Sequence, residues 1–171
     1  MILRVAVIGL LLVTGAVLQT ALFPALQIAG FRPDLLLLVV LAVALADGAL
    51  PGLRVGFAAG LLTDLLVAQA PVGIATAVLT GTGYIIGVAR PYLAPGSFTA
   101  PLLLAFVSGA VATGGYGVLV GLLSDGGLDL GLLAQAALGV ALFNTLLAPV
   151  VLGTVRRLSE RFPLEGVAGL P

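Results

Sequence analysis

The chain has no cysteine, no histidine, no lysine and no tryptophan. Without cysteine there is no disulfide and no thiolate nucleophile, and without histidine no imidazole base and no His-ligated metal site. Without lysine there is no Schiff-base chemistry. Charge is scarce as well. Only 8% of the 171 residues are charged, against roughly 25% in a soluble domain. Seven arginines balance seven acids to a net charge of zero, so there is no basic field to attract nucleic acid. No nucleophile–base arrangement, no carboxylate pair placed for acid–base work and no phosphate-cradling glycine loop can be assembled, so neither catalysis nor a bound cofactor or metal is expected. A solute carrier fits poorly too, because pore-lining polar residues are few and only three tyrosines could help to wall a binding site.

Apolar residues dominate instead. They make up 61% of the chain, and the mean hydropathy is +1.29. Too few polar side chains exist to cover a water-facing surface, which leaves an integral membrane protein as the class. Six segments approach the ~20 residues that cross a hydrocarbon core, at about 5–23, 34–50, 53–70, 72–89, 101–123 and 131–154. They predict an all-α six-helix membrane bundle forming one domain over 1–171. The second and third segments are slightly short, and a re-entrant pair is the alternative for them. Arg4 before an apolar run fits the start of a signal peptide, but no small-x-small cleavage site follows, so the first run is expected to stay as a span.

Arginine placement orients the bundle. With the N-terminus inside, Arg4, Arg54, Arg90, Arg156, Arg157 and Arg161 fall on the cytoplasmic side, and Arg32 alone falls opposite. Both termini are therefore expected to be cytoplasmic.

The most informative stretch is 52–73. Gly52, Gly56, Gly60 and Asp64 recur every fourth residue and so share one helical face. A face without bulk that ends in a carboxylate suits contact with another helix better than lipid. Asp64 lies ten residues past Arg54, about 15 Å along a helix axis, which predicts a depth beyond the midplane. An unpaired carboxylate at such depth costs several kcal/mol. Arg32, Asn144 and the hydroxyls of Thr63, Thr80, Thr113 and Tyr116 are the candidate partners. A structural tie, a proton-handling site and a partner interface are the possible roles. A proton relay normally needs several titratable groups, and only one acid sits at this depth.

Asn144 is a second intramembrane polar group, expected to hydrogen-bond between helices, and Pro149 is expected to kink the last span. Asp34, beside Pro33, is placed to stabilise the start of the second span. Asp47 is expected to pair with Arg54 across a tight break at Pro51-Gly52. Asp125 and Asp129 lack a third ligand for a metal. Tyr92 and Phe98 suit a membrane interface.

Several of these residues also carry a resemblance. Arg32-Pro33-Asp34-Leu35-Leu36-Leu37 is similar to the opening of the second span in the rod shape-determining protein MreD family. Gly56-Phe57-Ala58-Ala59-Gly60-Leu61-Leu62-Thr63-Asp64-Leu65 looks like that family's GxxxGLLxDL segment. Pro71-Val72-Gly73, Asn144 followed by Pro149, and Arg156-Arg157-Leu158 complete the likeness in order. The resemblance covers nearly the whole chain. It implies a non-catalytic scaffold or regulator in the bacterial inner membrane, part of the elongasome that maintains rod shape and lateral peptidoglycan synthesis. The implied partners are MreC and, through it, RodA, penicillin-binding protein 2 and MreB. The family also resembles in fold the S-components of energy-coupling-factor transporters, so a vitamin-binding S-component is the rival reading. On either reading Gly52, Gly56, Gly60, Asp64, Arg32, Asp34 and Asn144 are the packing or partner-interface candidates.

Overall fold

The computed structural model describes residues 2–22, 31–66, 71–93, 97–123 and 127–161. Six α-helices account for most of them: α1 (Ile2–Val17), α2 (Leu35–Asp47), α3 (Ala49–Leu66), α4 (Ile74–Ala89), α5 (Thr99–Leu123) and α6 (Leu130–Arg161). A π-turn, Leu18–Leu22, prolongs α1, and a short 3₁₀ turn, Arg90–Tyr92, follows α4. Among the described residues, four stretches are long and apolar enough to cross a membrane: Leu3–Ala21, Ala49–Leu66, Thr99–Leu123 and Leu130–Arg161. The α2 helix has only 13 residues and rises about 20 Å, short of a ~30 Å hydrocarbon core.

Despite its length, α2 is the centre of the bundle. Leu36 to Ala44 are all buried, with Leu37, Leu38, Val40, Leu41 and Val43 at 0% exposure. A helix that is apolar all round belongs inside such an assembly, and the other helices surround this one. One side of α2 packs with Leu12, Ala16, Ala59 and Leu79. Another packs with Ile86, Ala105 and Ala148.

The chain reverses after α2 at Gly48, not at Pro51-Gly52 as expected. Gly48 has φ +95°, a left-handed conformation that costs a side-chain-bearing residue roughly 1–2 kcal/mol. Pro51 then lies in the first turn of α3, where its missing N–H goes unused. Pro149 lies inside α6, which runs through it to Arg161.

Asp47 is also paired differently from expectation. Its carboxylate binds Arg4 of α1, not Arg54, and Arg54 is exposed. Both side chains of the pair are 7% exposed. Arg4 also donates to Ser159 Oγ at 2.7 Å. This cluster ties together the start of α1, the end of α2 and the end of α6. Sequence distance misleads here, because Arg54 is close along the chain while Arg4 is close in space. Removing one member of a buried pair strands the other charge, a loss of 3–5 kcal/mol in a full interior. Asp47→Ala is expected to cost about 2–3 kcal/mol, reduced from that range because the pair sits near helix ends that water can reach. Asp47→Leu combined with Arg4→Met should regain more than half of the loss. Denaturant unfolding in micelles reads both. Equal losses for the single and double variants would mean that the pair is not coupled.

Candidate functional site

The glycine stripe of α3 lies against α4. An added methyl at Gly52 would sit 2.5 Å from the Gly83 carbonyl oxygen, and one at Gly60 would sit 2.6 Å from that of Ala75. At Gly56 it would lie 2.8 Å from the Leu79 carbonyl carbon and 3.0 Å from Thr80 Cα. Gly83 and Gly87 answer from α4, approaching the backbone of Gly52 and of Ala49. The two helices therefore meet backbone to backbone, the geometry in which small residues give the most van der Waals contact. That approach leaves no room on the stripe for another helix.

Asp64 ends the stripe and caps the neighbouring helix. Its Oδ2 accepts from the Gly73 N–H at 3.0 Å, the Thr76 N–H at 2.9 Å and the Thr76 hydroxyl at 2.6 Å. Its Oδ1 accepts from the Ala75 N–H at 3.1 Å. These N–H groups belong to the first turn of α4, where helices leave donors unsatisfied. The helix's own N-cap residue is Gly73, which has no side chain and adopts φ +106°. The carboxylate of α3 supplies the missing cap from outside and also meets the positive end of the α4 dipole. Asp64 is 5% exposed, and with four bonds made it is fully occupied.

This placement changes the reading of Asp64. None of Arg32, Asn144, Thr63, Thr80, Thr113 and Tyr116 is its hydrogen-bond partner among the described residues. It stands near the C-terminal end of α3, beside the start of α4. Thr76 was missed because nothing but the fold brings position 76 to position 64. One signal was available, since a glycine N-cap with no capping side chain requires a cap from elsewhere.

A second polar tie forms beside the first. Asp34 is the N-cap of α2, its carboxylate accepting from the Leu37 N–H at 3.0 Å. The Asp34 N–H donates to Asn144 Oδ1 at 2.8 Å, joining α2 to α6. Asn144 is at 0% exposure, and its Nδ2 is without a partner among the described residues. Pro33 stands one residue before the cap, outside α2. Asp129 caps α6 through the Gly131 and Leu132 N–H groups at 2.9 and 3.0 Å. Asp125 and Glu165 fall outside the described residues. Tyr92 and Phe98 are both 86% exposed.

A cavity of about 200 Å³ opens between these two ties. It brings together Arg32, Asp34, Thr63, Thr113 and Tyr116, all singled out above except that Asp64 is not among its walls.

An all-helical bundle with a buried apolar axis, apolar outer faces and three aspartates, Asp34, Asp64 and Asp129, capping helix starts has the character of a multi-pass membrane protein. Comparison with known families makes this specific. A model of the rod shape-determining protein MreD family matches residues 1–155, and the chain belongs to that family. Membership implies a role in determining rod cell shape. No curated protein and no solved structure matches the chain.

Proposed function

We propose that the chain is a non-catalytic scaffold of the bacterial elongation machinery, held in the inner membrane with both termini in the cytoplasm. In that role it associates with MreC, and through MreC with RodA, penicillin-binding protein 2 and MreB, to direct lateral peptidoglycan synthesis. The observation that carries this reading is the family match over residues 1–155. The physical character of the bundle supports it. Backbone-to-backbone packing of α3 on α4 and helix caps supplied in trans make a rigid body, which suits a part that positions others. The arginine bias supports the orientation: Arg4 and Arg90 lie near the Asp47–Gly48 end, and Arg32 lies at the other. A fold like that of the S-components is part of the same proposal, supported by the five helices around a short buried α2.

Co-expression with MreC tests the reading. Affinity capture of the tagged chain from mild detergent is expected to recover MreC in comparable amount, and depletion of the chain should round the cells. Capture of an ATPase pair or a tightly held vitamin in place of MreC would overturn the scaffold in favour of a transporter component.

A further inference from the structure

The cavity at the Asp64 end has features that the scaffold role does not use. Its volume, about 200 Å³, exceeds the roughly 150 Å³ that accommodates a benzene ring. Part of its wall is apolar, with Val78 and Leu79 from α4, Ala112 from α5 and Val140 from α6. The rest of the wall is polar, and its groups divide into two kinds.

Some of these groups are already committed. Asp34 accepts from the Leu37 N–H at the start of α2, and its carboxylate is also held by Gln19, another residue of the wall, and faces Arg32. The Thr63 hydroxyl donates to the Ala59 carbonyl at 3.0 Å. The others, Arg32, Thr113 and Tyr116, make no hydrogen bond to another described residue, and Arg32 is held near Asp34 by charge attraction alone. One guanidinium and two hydroxyls thus converge on a half-open, largely apolar space with donors to spare. Arginine presents a planar fork that fits a carboxylate or phosphate, and an anion inside a membrane protein must find such donors. Few convergent polar groups on an apolar pocket are the usual form of a small-molecule site.

We propose that this cavity binds a small amphipathic anion. A carboxylate or phosphate would lie on Arg32, Thr113 and Tyr116, and an apolar body of about ring size would lie against α4 and α5. The position gives the site a consequence. The tightest helix pairs are α3 with α4 and α5 with α6, and the cavity has walls from both. An occupant therefore bridges the two hairpins. The proposal is independent of the partnership with MreC, and capture of MreC does not test it.

Tyrosine provides the probe, because the chain has only Tyr84, Tyr92 and Tyr116. The full chain, labelled with 3-fluorotyrosine and held in neutral micelles, gives three ¹⁹F resonances, assigned with Tyr84→Phe and Tyr92→Phe. Titration with benzoate is expected to shift the Tyr116 resonance saturably and leave the other two in place. Arg32→Gln should weaken that binding by about tenfold or more, as should replacing benzoate by benzamide. Arg32 is exposed, so this variant should melt like the parent. Ala112→Phe, which fills the cavity, is the second test and should abolish the shift. Dihexanoyl phosphatidic acid separates the sources of the anion. Tighter binding than benzoate assigns the site to a lipid headgroup, and weaker binding assigns it to a free carboxylate. The proposal is overturned if neither probe saturates, if all three resonances move together, or if Arg32→Gln binds as the parent does.

Discussion

Asp64→Leu is expected to lower the stability of the bundle by about 3–5 kcal/mol. The substitution removes all four bonds that the carboxylate accepts and leaves the N–H groups of Gly73, Ala75 and Thr76 without an acceptor. Each buried unsatisfied donor costs about 1–3 kcal/mol, and the first turn of α4 has no capping side chain of its own. Partial fraying of that turn keeps the total below the simple sum. Thr76→Val removes a single hydroxyl donor and should cost about 1 kcal/mol. Asp64→Asn, which keeps one acceptor oxygen, should fall between them. Unfolding in mixed micelles measures all three variants. A loss for Asp64→Leu no greater than that for Thr76→Val would show that α4 does not depend on a cap from α3.

The second large effect is expected at Gly56. A leucine there meets backbone on α4, the Leu79 carbonyl carbon at 2.8 Å and Thr80 Cα at 3.0 Å, and backbone cannot rotate away as a side chain can. The helices must separate along their shared face, and close contact is lost at Gly52 and Gly60 as well. Overpacking commonly costs about 1–3 kcal/mol, and the loss here should reach about 3 kcal/mol or more because the whole seam opens. Gly81→Leu is the matched control. Beyond the local backbone of its own helix, no atom lies within 4 Å of a methyl at that position, so its stability should change little. Thermal melting of both variants decides the matter, and similar melting would mean that α3 and α4 are not in backbone contact.

These two expectations also mark what the residues alone revealed. The four-residue recurrence of Gly52, Gly56, Gly60 and Asp64 was visible because helical periodicity maps position to face directly. The identity of the facing helix was less visible, although Gly83 and Gly87 repeat the same spacing in α4. The partners of Asp64 were not legible. Three of its four bonds go to backbone N–H groups, which every residue except proline carries, so no residue type signals them. Asp47 failed for a different reason. Proximity along the chain points to Arg54, while the fold brings in Arg4, 43 positions away. The break at Gly48 was also hidden, because Pro51-Gly52 is the stronger turn signal in sequence and only the backbone shows that Pro51 opens a helix. The family membership, by contrast, was readable from short segments in the right order, since it needed no knowledge of contacts.

The cluster of Arg4, Asp47 and Ser159 bears on how the protein is made. Arg4 emerges 155 residues ahead of Ser159 during synthesis. During insertion the first helix can meet Asp47 early, but it waits for α6 before the cluster closes. Completion of the bundle is thus tied to completion of the last helix. A chain halted before α6 would leave Arg4 with one acceptor fewer and α2 uncovered along the face that Ala148 and Leu152 shield. Exposed α2 surface of that kind is what a membrane quality-control protease could recognise, so truncated products should turn over faster than the full chain in pulse-chase.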